Sequence, residues 1–484
     1  MTGHKHNLSQ VKGPRMSDKF RIERDSLGDV KIPAGAYWST TTQRALVSYP
    51  ISGIQQHPKF VDAYVMLKMA AARANKKAKA IEAKKADAIV KACDEILKGA
   101  LRDQFVVDVF QMGAGTSFHM NVNEVIANRA NELLGGKIGE YKHVTANDHV
   151  NFGQSTNDTY PTVIRLACLL MLRDNLDEPA KDLEKALRSK GREFNKILKS
   201  ARTHLQDAVP IRLGQEFTAY AEAVKRCHEF INAARKSVCE LGIGGSAAGT
   251  GLNTAKGYRE NLIAELKKIS GIKDLKPSKD MREAMQSQRP IAELSAALRN
   301  LAIEINRICN DLRLLSSGPT TGLAEIDLPA VAPGSSIMPG KINPSMLEMS
   351  NMVCFEVIGN DTAVSWAVGG GQLELNVMMP LMGYKMTSSL HVLGTMMTQL
   401  SNLCVKGITA RKDRCQYYAE STLGLATALN VYIGYKGAAA VAKEAVSSGK
   451  TIIEVVREKK LLSEAEIKKI MDPIKMTEPG IPGK

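Results

Sequence analysis

Apolar residues recur at three- and four-residue intervals along most of the chain from about residue 58, a spacing that predicts α-helices. The most regular stretch alternates between the two intervals over about seven turns, at Ile291, Leu294, Leu298, Leu301, Ile305, Ile308, Leu312 and Leu315. Less regular patterns cover 161–198, 214–241, 345–368 and 374–404. In the last of these, Pro380 and Gly383 predict a kink or a division of the helix. Five long helices with apolar faces indicate a bundle.

The regular apolar seam at 291–315 also bears on assembly. A continuous seam of this kind is typical of helices that pack along their whole length. One chain has few helices with which to cover every apolar stripe. We therefore expect an oligomer in which this seam is buried between subunits.

The two ends of the chain differ from its helical middle. Residues 20–52 are rich in glycine, proline and β-branched residues, which predicts loops with short extended pieces. From about residue 405 the helical patterns become shorter and more charged, with turn signals at Gly434, Gly437 and Gly449. The predicted fold class is all-α dominated, with a long central helix bundle and small N- and C-terminal domains. The predicted divisions are a disordered extension at 1–18, an N-terminal domain at 19–157, a central helical-bundle domain at 158–404 and a C-terminal domain at 405–484.

Length and composition narrow the class of protein. A chain of 484 residues with 44% hydrophobic residues can bury a large core, yet it has no uninterrupted apolar run of the roughly 18 to 20 residues that a membrane helix requires. We expect no membrane partner. The first fifteen residues are basic without the apolar stretch of a secretory signal, and the eight cysteines are scattered without a CxxC pair. Both features favour reduced thiols and a cytoplasmic location.

The formal net charge of +15 raises a hypothesis of a different class, a nucleic-acid-binding protein. The lysines, however, are spread over helix faces, as at Lys76, Lys79 and Lys84, and only 5% of the residues are aromatic. No platform for stacking bases is therefore indicated. A solvated basic surface that attracts an anionic substrate is the favoured interpretation, and we predict no nucleic-acid partner.

Four polar segments between the helical patterns are candidates for chemistry. Their sequences are GAGTSFHMNVNEVIAN at 113–128, NDHVNFGQSTND at 147–158, ARTHLQDAVP at 201–210 and PGSSIMPGKINP at 333–344. Taken singly, the first three have structural explanations: Thr116 as a turn residue, the run from Ser155 as a helix N-cap, and His204 as a structural histidine. Their occurrence together in one chain favours a functional site.

The segment at 333–344 is the most informative of the four. Gly334 and Gly340 bracket two serines, and Lys341 and Asn343 follow at once. Hydroxyls, backbone N–H groups and one cation in a loop with glycines at its ends are the parts of an anion-binding lid.

Together the four segments resemble, in the same order, the characteristic regions of the aspartase and fumarase superfamily, and GSSIMPGKINP is similar to its signature loop. The resemblance extends from about residue 20 to about residue 473. It implies a mostly α-helical homotetramer whose subunits pool their helices into a twenty-helix core, with active sites that each combine segments of three subunits. It also implies turnover without a metal or an organic cofactor.

Carried over by position, the resemblance assigns a role to each candidate residue. Ser335 would be the general base. His204, held by Glu348, would face the amino group of the substrate. The residues that would bind the substrate are Thr116, Ser155, Thr156, Asn157, Thr203, Ser336, Lys341 and Asn343.

The chemistry accounts for these residue types. Removing a proton beside a carboxylate places a second charge on an oxygen pair that is already negative, and hydroxyl and N–H donors in a dry cavity can stabilise this aci-carboxylate. The same lid can stabilise the alkoxide of Ser335. Lys341 and Asn343 are expected to position the other carboxylate.

Several positions favour the aspartase branch over fumarases. Ala114 stands two residues before Thr116, where fumarases usually carry a serine, and the Ser155–Thr156 pair replaces the two serines usual in fumarases. Stretches more similar to aspartases are AVPIRLGQEF at 208–217, FEVIGND at 355–361 and GQLELNVM at 371–378. The implied reaction is that of an aspartate ammonia-lyase, the reversible anti elimination of ammonia from L-aspartate to fumarate through a carbanion. A class II fumarate hydratase is the alternative.

Two positions depart from the pattern of the superfamily. His119 stands where both branches normally have asparagine, so the first segment is expected to hold its ligand differently. Thr145 and Ala146 stand where fumarases carry the histidine and proline of an accessory dicarboxylate site, although Asn147 and Asp148 remain. Such an accessory site is not expected here.

Overall fold

The computed structural model describes residues 19–484, and the predicted extension at 1–18 lies outside the described residues. The described chain is dominated by α-helices, as predicted. Its helices are α1 (Thr40–Ser48), α2 (Pro58–Lys77), α3 (Ala83–Leu97), α4 (Thr116–Leu133), α5 (Thr156–Met171), α6 (Asp177–Glu193), α7 (Leu213–Val238), α8 (Tyr258–Ser270), α9 (Met281–Gln286), α10 (Arg289–Leu315), α11 (Ser345–Gly369), α12 (Met379–Leu403), α13 (Lys412–Ser421), α14 (Asn430–Ser448), α15 (Ile452–Glu458) and α16 (Glu464–Ile470). None of these helices is long and apolar enough to cross a membrane.

The strands of the described residues form only two-stranded sheets. They are β1 (Phe20–Asp25), β2 (Gly28–Pro33), β3 (Leu198–Thr203), β4 (Gln206–Arg212), β5 (Glu240–Leu241), β6 (Lys276–Pro277), β7 (Ile326–Asp327) and β8 (Thr409–Ala410). Antiparallel pairs join β1 to β2, β3 to β4 and β7 to β8, whereas β5 and β6 are parallel. The short extended pieces predicted near residue 20 are the β1–β2 hairpin.

Within the described residues, one compact unit comprises 19–176, 230–299 and 356–392. An aromatic cluster in this unit joins three helices. Phe60 and Tyr64 of α2, Phe118 of α4 and Tyr160 of α5 are all completely buried, and ring centroids within the cluster lie 5.4 to 6.3 Å apart. Because Phe118 and Tyr160 lie within the first five residues of α4 and α5, this core fixes the N-terminal ends of both helices.

A second compact unit comprises 177–229, 300–355 and 393–484. Its C-terminal part contains the shorter helices predicted after residue 405. Capping boxes begin two of them, at Thr451 before α15 and at Ser463 before α16. Their apolar faces pack into one cluster, whose buried members include Leu425, Leu429, Val441, Ile452, Val455 and Ile467. The predicted domain boundaries after residues 157 and 404 stay a prediction.

The regular seam lies on α10, but its predicted place between subunits is wrong. Every seam residue is already buried within the single chain, and the most accessible, Leu315, is 6% exposed. The exposed apolar side chains of the long helices lie elsewhere, and include Phe230, Ile303, Met352, Phe355 and Trp366. The pattern identified a buried face correctly, but a face buried by the same chain has the same pattern as one buried by a partner.

Two predicted helices have other boundaries in the structure. The pattern at 161–198 is divided among α5, a π-helical turn at Leu172–Leu176, α6, and the beginning of β3. In the segment at 374–404, Pro380 does not kink a helix but lies in the first turn of α12, where its missing N–H leaves no hydrogen bond unmade.

Candidate active site

The first candidate segment ends in a tight turn that begins α4 at Thr116. Gly115 has φ of +90°, and a Cβ atom on it would lie 2.0 Å from the ring of Tyr160. Only glycine allows this approach, which places the half-buried Thr116 beside the first turns of α5. The turn is also tied to the backbone of another segment, since the Ala114 N–H donates to the Val377 carbonyl at 2.8 Å.

The second segment begins α5 with a capping box. The Ser155 hydroxyl accepts from the Asn157 N–H at 3.2 Å, and the Asp158 carboxylate accepts from the Ser155 N–H at 2.9 Å. The capping explanation of these residues is therefore confirmed. It does not exclude a second role, because Thr156 is the first residue of the helix and the side chain of Asn157 reaches the carbonyl of Ala247 at 2.9 Å.

Asp158 joins this helix end to a neighbouring loop. Its other carboxylate oxygen accepts from the backbone N–H groups of Gly244 at 3.0 Å and Ser246 at 3.1 Å. Asp158 is completely buried, and burial raises its pKa to about 6 against the opposing effect of these hydrogen bonds and of Lys68. The loop after β5 is thus held against the first turn of α5.

A buried polar chain lies behind Thr156. The Thr156 hydroxyl is 2.7 Å from Nδ1 of His119, and Nε2 of the same ring is 2.8 Å from Nζ of Lys68. The His119 ring stacks on Tyr64, with centroids 5.5 Å apart and an interplanar angle of 17°. Burial, reinforced by Lys68, holds the pKa of His119 well below its usual range. Burial also lowers the pKa of Lys68 to about 7.

Sequence reasoning did not select Lys68, and it noted His119 only as a departure. A signal for Lys68 was present, because it interrupts an apolar run on α2 from Val65 to Ala72. A lysine in the middle of a buried helix face requires polar partners from other helices. The chain alone does not say which helices supply them.

The third segment forms the turn between β3 and β4. His204 and Leu205 occupy this turn with φ of 54° and 60°, and both Thr203 and His204 are exposed. Charged side chains hold the strand that leads into this turn. Glu325 is fully buried, lies 2.9 Å from Arg202 and 3.2 Å from Lys199, and so ties the strand before the turn to the segment before β7.

The fourth segment forms a loop that closes on itself. A Cβ atom on Gly334 would lie 2.1 Å from the Lys341 carbonyl, so the two ends of the loop touch at a place where only glycine fits. The side chain of Asn343 donates to the Gly334 carbonyl and fixes this closure. Ser336 and Lys341 are exposed.

Ser335 stands inside this closed loop with its oxygen facing two donors. The Ser335 hydroxyl oxygen accepts from the backbone N–H of Ile337 at 3.2 Å and of Met338 at 2.9 Å. Two N–H groups on one serine oxygen favour the charged alkoxide over the neutral hydroxyl. The role of Ser335 as a base stays a prediction.

The predicted pairing of Glu348 with His204 has no counterpart within residues 19–484 of the single chain. Glu348 lies half-buried in the first turn of α11, and no hydrogen bond or ion pair to His204 joins them in this described part. The pairing stays a prediction. The described residues also contain no group of three or more His, Cys, Asp or Glu side chains that could hold a metal ion.

At the altered segment, Thr145 serves a local structural role. Its hydroxyl accepts from the Asp148 N–H at 3.0 Å and so caps the turn Ala146–Val150. Its backbone N–H donates to the ring of His149, also at 3.0 Å. The side chain that replaces the fumarase histidine is therefore engaged within its own turn.

Known proteins are similar to the chain along nearly its whole length. The profile of a lyase family matches residues 28–359, and that of the fumarase C C-terminus matches 425–478. The chain is 47% identical to the aspartate ammonia-lyase of Pseudomonas aeruginosa, over 95% of this chain and 98% of the relative. It is 43% identical to the aspartate ammonia-lyase of Bacillus subtilis, over 96% and 98%. Its fold is similar to the crystal structure of a class II fumarase from Schistosoma mansoni, with a TM-score of 0.92 at 35% identity, over 95% of this chain and 99% of that one.

Proposed function

Since the chain belongs to the aspartase and fumarase superfamily of lyases, we propose that it is an aspartate ammonia-lyase, which eliminates ammonia from L-aspartate to give fumarate. The observation that carries this proposal is the 43 to 47% identity to two aspartate ammonia-lyases over at least 95% of the chain. The fumarase of similar fold is less similar in sequence, at 35% identity.

Ser335 is proposed to remove the proton from the carbon next to the substrate carboxylate. The N–H groups of Ile337 and Met338 support it, because both already point at its oxygen and would stabilise the alkoxide. Lys341, exposed at the end of the same loop, adds a positive charge and positions the second carboxylate together with Asn343. The exposed Ser336 supplies a further hydroxyl.

The first turns of α4 and α5 are proposed to stabilise the aci-carboxylate. Thr116 and Thr156 are each the first residue of a helix, where backbone N–H groups and the helix dipole favour an anion. Ser155 and Asn157 flank Thr156 and add polar groups to the same site. Such donors are typically worth about 2.7 to 4 kcal/mol of barrier each when removed.

The amino group of aspartate is proposed to face Thr203 and His204. An ammonium leaves with its own proton, so this side of the site needs acceptors rather than an acid, and the oxygen of Thr203 and a neutral imidazole can accept. Glu348 is proposed to orient His204. Both Thr203 and His204 are exposed at the tip of their hairpin, where a substrate can reach them.

We propose a homotetramer in which each site combines segments of three subunits. Exposed apolar side chains support an interface along α11: Met352 is 63% exposed, Phe355 58% and Trp366 81%. Such side chains on a long helix are typical of surfaces that a partner covers. The helix ends and the Ser335 loop supply different parts of the proposed chemistry, so one segment alone would not complete it.

The test is a parallel absorbance assay of fumarate release from L-aspartate, L-malate and argininosuccinate. Aspartate should give fumarate and ammonia in equal amounts. A preference for malate would move the assignment to a fumarase while the fold and the serine base remain. No turnover of any of the three would refute the proposed function.

A further inference from the structure

Three polar side chains from three helices form a hydrogen-bonded chain that ends at Thr156. Lys68 of α2 and His119 of α4 are no more than 1% exposed, and Lys68 Nζ lies 2.8 Å from His119 Nε2. Nδ1 of His119 lies 2.7 Å from the Thr156 hydroxyl. Of these residues only Thr156 is placed against the substrate in the proposed function. Lys68 and His119 therefore act on the substrate, if at all, through Thr156.

The direction of these hydrogen bonds depends on the protonation of Lys68, because two of its partners can only accept. Lys68 Nζ lies 3.0 Å from Asn151 Oδ1 and 3.0 Å from Gln154 Oε1. The amide nitrogens of both are engaged elsewhere: Asn151 Nδ2 donates to the Gln154 carbonyl and Gln154 Nε2 to the Val150 carbonyl, each at 3.1 Å. A carbonyl cannot donate, so the oxygens of both amides must face Lys68.

The third donor of a Lys68 ammonium is then directed at His119 Nε2. A ring nitrogen that accepts carries no proton, so the proton of the neutral imidazole is on Nδ1, which donates to the Thr156 oxygen. Among residues 19–484 the Thr156 hydroxyl has no other hydrogen bond. Its own hydrogen is free to point away from His119.

We propose, on the basis of the proposed function, that Lys68 and His119 are positioning residues that fix the Thr156 hydroxyl as a hydrogen-bond donor toward the substrate carboxylate. The positive charge of Lys68 reaches the substrate through the imidazole and the hydroxyl, without a buried ammonium touching the ligand. His119 is thus a functional replacement for the asparagine expected at this position, and it links Thr156 to a cation that an asparagine is too short to bridge in the same way.

The reverse arrangement requires Lys68 to be an amine. Its lone pair would accept from Nε2–H of His119, Nδ1 would accept the Thr156 hydrogen, and the Thr156 oxygen would be only an acceptor toward the ligand. A dicarboxylate near Thr156 opposes that state, because its negative charge favours the ammonium. Substrate binding and the donor state of Thr156 therefore support each other.

A double-mutant cycle on kcat/KM for aspartate tests this inference. Thr156→Val removes the hydroxyl at nearly constant volume, and His119→Phe removes both ring nitrogens while keeping a ring to stack on Tyr64. His119→Phe should lower kcat/KM about tenfold or more in the wild-type background, the effect of one hydrogen bond to a charged group. In the Thr156→Val background, His119→Phe should lower kcat/KM by less than about threefold, because the hydroxyl on which His119 acts is gone.

His119→Asn provides a second variant with less disturbance of the core. Its amide nitrogen can occupy nearly the place of Nδ1 and donate to Thr156, whereas it gives up the contact at Nε2. It should recover part of the activity lost in His119→Phe. Unfolding in urea separates the structural effect, since a purely structural role would change stability and lower kcat/KM equally in both backgrounds.

The outcomes distinguish the inference from the function on which it rests. Equal fold-losses of kcat/KM from His119→Phe in the two backgrounds, in an enzyme that releases fumarate from aspartate, would overturn the inference alone. A wild-type protein without activity on aspartate would overturn both. A non-additive cycle with partial recovery in His119→Asn would establish the inference.

Discussion

Glu325 is completely buried, and its carboxylate lies 2.9 Å from Arg202, one residue before Thr203 and two before His204. The second carboxylate oxygen lies 3.2 Å from the buried Lys199. This carboxylate therefore lies beside both cations of β3, although Lys199 also meets Glu216 at 2.8 Å, so Arg202 is the cation that depends on it most. The position of two candidate site residues thus depends on a charged residue that no motif of the chain singled out.

Glu325→Ala should destabilise the protein and displace the hairpin tip. Removing one partner of a buried ion pair typically costs about 3 to 5 kcal/mol, because a charge is left uncompensated. Unfolding in urea measures the loss of stability, and kcat/KM should fall as well because the hairpin tip is displaced. Glu325→Gln, which keeps an acceptor for Arg202, should lose less. Asp327→Asn is the surface control, since its pair with Arg411 is 48% and 36% exposed. Equal stability of wild type and Glu325→Ala would contradict the proposed anchoring.

Ser335→Ala should nearly abolish turnover while leaving assembly unchanged. Loss of a general base typically lowers the rate by about 10² to 10⁴-fold. Fumarate release is measured under saturating aspartate, and sedimentation checks the oligomer. Ser447→Ala, on the outer part of α14, is the matched control and should behave as wild type. Retention of more than about a tenth of the activity by Ser335→Ala would place the base elsewhere.

Trp366→Glu should dissociate the oligomer. Trp366 is 81% exposed on α11, and a charge buried at the proposed interface would lack a partner. Analytical ultracentrifugation at micromolar concentration should show a tetramer for wild type and smaller, inactive species for the variant. Ile474→Glu is the control, because Ile474 is 62% exposed but lies outside the long helices. A stable, active wild-type monomer would end the shared-site proposal.

Malate should be turned over at least on the order of a hundredfold less efficiently than aspartate, because hydroxide needs a proton to leave and ammonium carries its own. A site that recognises its substrate by hydrogen bonds can discriminate a hundredfold, since the wrong leaving group leaves buried polar groups of the site without a hydrogen-bond partner. Ala114→Ser, which introduces the hydroxyl usual in fumarases, should narrow the ratio of the two kcat/KM values. Comparable efficiencies for both substrates in the wild type would contradict the expectation.

Binding of a dicarboxylate should take up a proton at pH 8. Burial lowers the pKa of Lys68 to about 7, so at pH 8 its side chain is mainly a neutral amine in the free protein. The charged or titratable groups around Lys68 are Asp158, Cys93 and His119. A bound dianion favours the ammonium, raises the pKa of Lys68, and makes affinity fall as pH rises above about 7. Calorimetry of succinate binding in two buffers of different ionisation enthalpy measures the uptake. Lys68→Met should abolish most of it, and equal uptake in both proteins would refute the assignment to Lys68.

The sequence predicted the helical class and the four polar segments, because both depend on local patterns. The period of the apolar residues identifies α10 almost to its ends. The cap at Ser155 is likewise local, since its partners Asn157 and Asp158 lie two and three residues away. The lyase superfamily, predicted from the motifs, is confirmed by the family profiles.

What the sequence could not supply are partners distant in the chain. Lys68 meets His119 and Gln154 from three different segments, and Glu325 meets Lys199 across more than a hundred residues. Nothing in the neighbourhood of either residue indicates where its partner lies. The place of the α10 seam was wrong for a related reason, since periodicity reports that a face is buried but not by which chain.

The loop that carries Ser335 is closed at its base, where Gly334 meets Asn343, so the segment between these two residues forms a self-contained ring. Because the two ends are already joined, residues added at the tip, after Met338, would enlarge the ring without displacing α11. The entropic free-energy cost of closing such a ring grows slowly, by about 0.6 kcal/mol for each doubling of its length. The tip between Met338 and Gly340 can therefore change in length at a small entropic cost, whereas a side chain at 334 would break the contact that closes the loop and release the serine from its two donors.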